Sequence, residues 1–115
     1  MLVKIRQTDT EISTHHVILG LIFHDAPYVP LAIVRNSTDT FPTVVPLGDC
    51  EILDARLPPN WAIAHVPRGN SVRLAPPDFL EAGFWSRVRN GDEAAVACFN
   101  AITEELFRFH ALHRV

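Results

Sequence analysis

The chain lacks several features that would point directly to a class of protein. No apolar run among its 115 residues approaches the ~20 residues that a membrane-spanning helix needs. The N-terminus does not have the basic-then-apolar order of a signal peptide, so we expect a cytoplasmic protein with no membrane partner. With 48% hydrophobic residues and a net charge of -3, the composition excludes a disordered chain. It fits one domain, strand-rich over residues 1–75 and helical over 76–115.

Cysteine and glycine are scarce. Cys50 and Cys98 lie far apart and lack the Cys or His spacing of a zinc site, so we expect two buried, reduced thiols. Five glycines and no Gly-rich loop argue against a phosphate cradle, and no Gly-x-Ser-x-Gly segment is present. We therefore predict no catalytic residue, no metal, no cofactor and no enzymatic activity.

Histidine is abundant enough to raise the question of metal or base chemistry. The six histidines are His15, His16, His24, His65, His110 and His113. None forms a familiar metal motif with a carboxylate at the required offset. His110 and His113 are three positions apart near the chain end, where we expect a frayed, solvated helix terminus.

Charge is distributed unevenly between the two parts of the chain. Up to Pro58 there are four basic and seven acidic residues, whereas beyond it six arginines balance six carboxylates. Nucleic acid is not expected as a ligand, because phosphate neutralisation needs a basic face. The acidic part is better suited to a basic protein partner.

Short β-branched and apolar runs, separated by Pro, Gly and Asn, predict strands over the first two-thirds of the chain. The candidates are Met1–Arg6, His16–Phe23, Tyr28–Arg35, Thr43–Leu47, Cys50–Leu57, Trp61–Val66 and Ser71–Leu74. His16–Phe23 and Tyr28–Arg35 should form a hairpin. Pro30 cannot donate a ladder hydrogen bond, which places the second run at a sheet edge or a bulge. The short connections predict a mostly antiparallel sheet.

Two helices are predicted at the C-terminal end. The first runs from Glu81 or Ala82 to Asn90, and Gly91 is suited to end it in a left-handed conformation. Asp92 should cap the second. Its apolar stripe consists of Ala95, Phe99, Ile102, Leu106 and Phe109. We therefore expect an α+β fold in which a mostly antiparallel sheet of about five to six strands packs against two C-terminal helices.

A dense group of carboxylates is the main candidate for a binding surface. Asp49 and Glu51 should share one face of a strand, with Asp54 on the other. Asp39, in a polar loop, is a further exposed candidate. These side chains form either a solvated rim or a docking surface for a basic partner, and Trp61 is either an anchor at that surface or a core residue.

Three segments resemble a known family. Leu57-Pro58-Pro59-Asn60-Trp61 and Pro77-Asp78-Phe79-Leu80-Glu81-Ala82-Gly83-Phe84-Trp85, followed by Asn90-Gly91-Asp92-Glu93-Ala94-Ala95, are similar to small bacterial immunity proteins. Such proteins neutralise polymorphic toxins, including those of contact-dependent growth inhibition. The resemblance covers about the last half of the chain. It implies a cytoplasmic α+β protein that blocks the active site of a toxin domain, often a nuclease with a basic cleft.

The leading hypothesis is therefore an inhibitor whose acidic surface, formed by Asp39, Asp49, Glu51 and Asp54, occludes a basic toxin cleft. The alternative is a small enzyme or small-ligand binding protein that uses His65 and the acidic cluster in one pocket. A third possibility is a subunit that only dimerises through an uncovered sheet edge. A monomer and a homodimer are both compatible with the sequence.

Overall fold

The fold is built from seven strands and two α-helices in the computed structural model, which describes residues 1–5, 15–24, 29–35, 42–66 and 70–112. The strands are β1 (Leu2–Ile5), β2 (His15–Phe23), β3 (Leu31–Arg35), β4 (Thr43–Pro46), β5 (Cys50–Asp54), β6 (Ala62–Val66) and β7 (Ser71–Ala75). The helices are α1 (Phe84–Arg89) and α2 (Glu93–Leu112), with short 3₁₀ helices at Leu47–Asp49 and Pro77–Leu80. Every strand pair is antiparallel, which confirms the predicted α+β class with one strand more than expected.

β2 is the central strand, and it has two different neighbours along one side. β3 pairs along the opposite side, while β1 pairs with the beginning of β2 and β7 with its end. The register with β3 passes from Ile18 to Gly20, so Leu19 is an extra residue that forms a bulge. A side chain at Gly20 would approach the Cβ of Ala75 to 3.3 Å. The glycine therefore lets β7 pack closely where the sheet divides.

The predicted hairpin of the second and third strands is confirmed. Of the two positions expected for the second run, the edge is wrong, whereas its pairing with β2 does contain a bulge, at Leu19 rather than at Pro30. β3 begins at Leu31, directly after Pro30, and lies between β2 and β4. Pro30 is outside the ladder, so its missing N–H costs no strand hydrogen bond. Its carbonyl instead accepts a hydrogen bond from the Leu47 N–H, at 2.9 Å.

The five strands in the order β4-β3-β2-β1-β5 are strongly curled. In a flat sheet the two outer strands, β4 and β5, would lie about 19 Å apart. Only Leu47–Asp49 connects them, and the four steps from Pro46 to Cys50 reach at most about 14 Å. The sheet must therefore bend until its two outer strands approach each other.

Each face of the curled sheet has its own hydrophobic cluster. The inner cluster consists of Val3, Ile18, Leu21, Ala32, Val34 and Cys50. The helix-side cluster consists of Leu2, Val17, Leu19, Ala75, Phe79, Phe84, Val88, Ala95, Phe99 and Leu106. The bulge at Leu19 explains why Ile18 and Leu21 share a face although they are three residues apart. Burial of each large side chain contributes about 2–3 kcal/mol.

The boundary between the helices follows the sequence prediction. Gly91 adopts a φ of 78°, and its N–H bonds to the Val88 carbonyl while the Asp92 N–H bonds to that of Arg87. This is the Schellman pattern. The Asp92 carboxylate then accepts hydrogen bonds from the Ala94 and Ala95 N–H groups, which caps α2. The predicted stripe faces the sheet, with Phe99 and Leu106 fully buried.

Candidate functional site

The predicted acidic residues occupy different environments. Asp49 ends a 3₁₀ helix and Glu51 lies on β5, and both side chains are exposed. Asp39 lies outside the described residues. Asp54 is largely buried, with 15% of its side chain exposed. Asp49 and Glu51 are therefore the described members of the set that face solvent.

A bulge changes the face on which Asp54 lies. The pairing of β1 with β5 passes from Val3 opposite Ile52 to Leu2 opposite Asp54, so Leu53 is an extra residue. Asp54 is consequently on the same face of the sheet as Glu51, and the expected alternation of faces is wrong here. The bulge aims the Asp54 carboxylate toward α2.

The Asp54 cluster comprises Asp54, Arg56 and His110. The Arg56 guanidinium donates two hydrogen bonds to the two carboxylate oxygens of Asp54, at 2.9 and 2.8 Å, and its backbone N–H donates a third. His110 Nδ1 lies 2.9 Å from Asp54 Oδ2. The hydrogen bonds from Arg56, followed by that from His110, hold the pKa of Asp54 well below its usual range.

His110 is a correction to the sequence prediction. The expected solvated helix end is wrong, because the ring is only 3% exposed and packs edge-on against Phe109. Burial lowers the pKa of His110, while the hydrogen bond to Asp54 opposes that shift. His113 lies outside the described residues. His110 and Asp54 are 56 positions apart, so no local pattern could have paired them.

The buried His–Asp pair is better suited to stability than to chemistry. Nδ1 faces the carboxylate, which leaves Nε2 as the nitrogen that would face a nucleophile. That atom is buried and has no hydrogen-bond partner among the described residues. A catalytic base must reach the proton that it abstracts. The cluster therefore fastens α2 to β5.

β5 presents an open edge next to the exposed carboxylates. Among the described strands it pairs only with β1. Ile52 and Leu53 are 48% and 41% exposed, although both are large and apolar. We refer to Asp49, Glu51, Ile52 and Leu53 as the docking strand. This segment combines acidic groups, apolar side chains and backbone groups that no other described strand pairs.

His65 and Trp61 do not join this surface in a pocket. His65 is exposed on β6, and its Nε2 lies 3.0 Å from the Asn70 side-chain oxygen. Trp61 is half-buried and packs against both hydrophobic clusters. It also lines a cleft of about 220 Å³ together with Asp78 and Glu105. Trp61 therefore contacts the core. Neither this cleft nor the larger cleft beside α1 brings His65 together with the acidic cluster.

A larger cleft, which sequence reasoning missed, lies beside α1. The α1 cleft has a volume of about 380 Å³ and is lined by Ile22, Ile33, Pro42, Val44, Arg73, Trp85, Val88 and Arg89. Arg73 is on β7 opposite Ile22, and Arg89 is on the last turn of α1. The sequence carried no signal for this site, because its walls come from β2, β3, β4, β7 and α1.

Other sites were sought within the part of the chain that the structure describes. There, no three His, Cys, Asp or Glu side chains come close enough together to hold a metal ion. None of the described helices is both long and apolar enough to cross a membrane. Comparison with protein-family models, curated proteins and solved structures found no match to the chain. The resemblance to immunity proteins therefore stays a prediction.

Proposed function

We propose that the protein is a cytoplasmic immunity protein that binds a bacterial toxin domain, such as a nuclease, and occludes its basic cleft with the docking strand. One observation carries the proposal. The edge strand β5 exposes Glu51, Ile52 and Leu53 in succession, directly after Asp49. The proposed activity is inhibition by binding, with no reaction and no cofactor.

The composition of the docking strand suits a protein partner. Ile52 and Leu53 supply apolar area of the kind buried at the centre of interfaces. Asp49 and Glu51 attract and orient a basic surface, and such steering weakens as salt increases. The backbone groups of β5 that no described strand pairs can also bond to a strand of the partner. Polar and apolar contributions thus come from one continuous segment.

Asp54 has a supporting role in this proposal. Its carboxylate is engaged by Arg56 and His110, so it is not free to pair with a toxin arginine. It instead fixes the end of the docking strand against α2. Asp39 remains a predicted contact.

The test uses the toxin domain encoded by the upstream neighbouring gene, purified in an inactive form, and measures its affinity by calorimetry. Glu51→Lys and Leu53→Ala should each weaken binding about tenfold or more, equivalent to about 1.4 kcal/mol. Glu104→Lys makes the same charge change at an exposed position of α2 and should leave the affinity unchanged.

Growth of bacteria that express the toxin domain provides the second measurement. Wild type and Glu104→Lys should protect the cells, whereas the two docking-strand variants should protect poorly. Unchanged affinity in both docking-strand variants would show that another surface binds. A neighbouring gene of metabolic function, with no toxin domain, would refute the immunity function itself.

A further inference from the structure

The α1 cleft carries an inference that is independent of the docking strand. Its walls are mainly apolar, with Ile22 and Ile33 from the sheet and Val88 from α1. Trp85 adds an aromatic surface. The volume of about 380 Å³ falls within the range of about 300–1,000 Å³ that is usual for small-molecule pockets.

Two cationic side chains line this apolar cleft. Arg73 and Arg89 both contribute to its lining. None of the described lining residues is acidic, and neither arginine forms an ion pair with any residue that the structure describes. The cleft therefore carries positive charge that the described part of the chain does not neutralise.

Arg73 is the more informative of the two arginines. Its Nε–H is buried and has no hydrogen-bond acceptor among the described residues. Leaving a buried donor unsatisfied costs about 1–3 kcal/mol, and such groups are rare in native proteins. An anion in the cleft would accept this hydrogen bond, and the planar guanidinium is suited to a carboxylate.

The other arginines of the described chain show what the α1 cleft lacks. Arg35 donates hydrogen bonds to Thr103 and Asn100, each at 3.0 Å. Arg87, two residues before Arg89 on the same helix, pairs with Glu81. Among the arginines that the structure describes, only Arg73 and Arg89 have no such partner.

We propose that the α1 cleft binds a small organic carboxylate with a planar apolar body. The carboxylate pairs with Arg73, and with Arg89 at the rim. The apolar body packs on Trp85 and between Ile33 and Val88. The observations favour a small molecule over a protein segment, because the cleft is concave and its cations are set among apolar walls.

The probe is 2-naphthoate, compared with 2-naphthamide, which has a similar shape and no charge. Binding is followed by NMR through the indole N–H signals of Trp85, inside the cleft, and Trp61, outside it. Naphthoate should shift the Trp85 signal saturably and bind at least about tenfold more tightly than the amide, because a charged pair contributes more than about 1.4 kcal/mol in a desolvated site. The Trp61 signal should not shift.

Variants separate the cleft from general attraction to a positive charge. Arg73→Gln should weaken naphthoate binding at least about tenfold, and Arg89→Gln should weaken it less, since Arg89 is exposed. Arg87→Gln is the matched control and should bind as wild type does. If Arg73→Gln fails to fold, Val44→Trp provides the second test, and this variant should weaken naphthoate binding. Val44 is exposed at the rim, so the larger ring narrows the cleft without burying new atoms in the core.

The proposal is overturned by equal binding of naphthoate and naphthamide, by equal affinity of Arg73→Gln and Arg87→Gln, or by a shift confined to Trp61. It is also overturned if naphthoate gives no saturable shift at about 10 mM, where even millimolar sites are occupied. None of these results bears on the docking strand, which belongs to a different part of the sheet.

Discussion

The Asp54 cluster and the α1 cleft both contain ionisable groups on the helix-covered face of the sheet. The two sites differ in whether these groups have partners within the described chain. In the cluster, Arg56 and His110 converge on one carboxylate. Among the described residues that line the cleft, Arg73 and Arg89 are charged and none is a carboxylate. Charged groups that are paired within the chain fasten its elements together, whereas the two arginines without a described partner are the basis of the proposed ligand site.

The largest effect is expected from removal of the carboxylate of the Asp54 cluster. Asp54→Ala takes away the partner of buried His110 and three hydrogen bonds from Arg56, so the free energy of unfolding should fall by about 2–3 kcal/mol. Glu51→Ala removes an exposed carboxylate from the same strand and should change it by less than about 0.5 kcal/mol. Urea denaturation measures both. Equal effects would mean that the cluster does not stabilise the fold.

The pH dependence of stability should identify His110. Because burial lowers its folded pKa below the unfolded value of about 6.5, the unfolded chain takes up a proton that the folded chain does not. Stability should therefore fall as the pH decreases below about 6.5, by at most about 1.4 kcal/mol per pH unit. Arg56 and the Met1 amino group oppose protonation of the ring, while Asp54 favours it.

His110→Asn should lack this part of the pH dependence. Below about pH 4 a second loss is expected in both proteins, because the pKa of Asp54 is lowered on folding and the unfolded carboxylate is protonated first. Urea denaturation between about pH 4.5 and 7 separates the two groups, because this range spans the unfolded pKa of histidine and stays above that of the carboxylate. Parallel curves for wild type and variant would rule out His110 as the source.

The smallest effect, and one of opposite sign, is expected in the cleft. Arg73→Met keeps an unbranched apolar stem but removes the buried N–H that has no acceptor in the described part of the chain, so stability without ligand should be unchanged or rise by up to about 1 kcal/mol. Arg35→Met is the comparison, because Arg35 bonds to Thr103 and lies 4.2 Å from the ring centre of Phe99. Arg35→Met should lower the free energy of unfolding. A similar loss in both variants would make Arg73 a structural residue.

What the sequence could predict depended on short-range signals. The hairpin of β2 and β3 followed from two apolar runs with a proline-containing connection, and the boundary between the helices followed from Gly91 and Asp92. Each of these features is decided by residues within a few positions. Together with the apolar stripe of α2, these features account for the fold class and for the face of α2 that packs on the sheet.

What the sequence could not predict depended on long-range geometry. The bulge at Leu53, which redirects Asp54, is visible only in the register with β1. His110 was expected in solvent because nothing near it in sequence indicated a carboxylate 56 positions away. The α1 cleft likewise joins Arg73 to Arg89 across separate elements. Groupings of this kind become recognisable once the strands are placed.

The position of β5 at the end of the curled sheet has a consequence for when the docking strand forms during folding. β5 pairs with β1 across 45 to 52 positions of the chain, so this pairing forms only after the intervening segments are in place. Pairings of such long range are slow and bear a large loop entropy. We therefore expect the proposed docking strand to join the sheet late in folding.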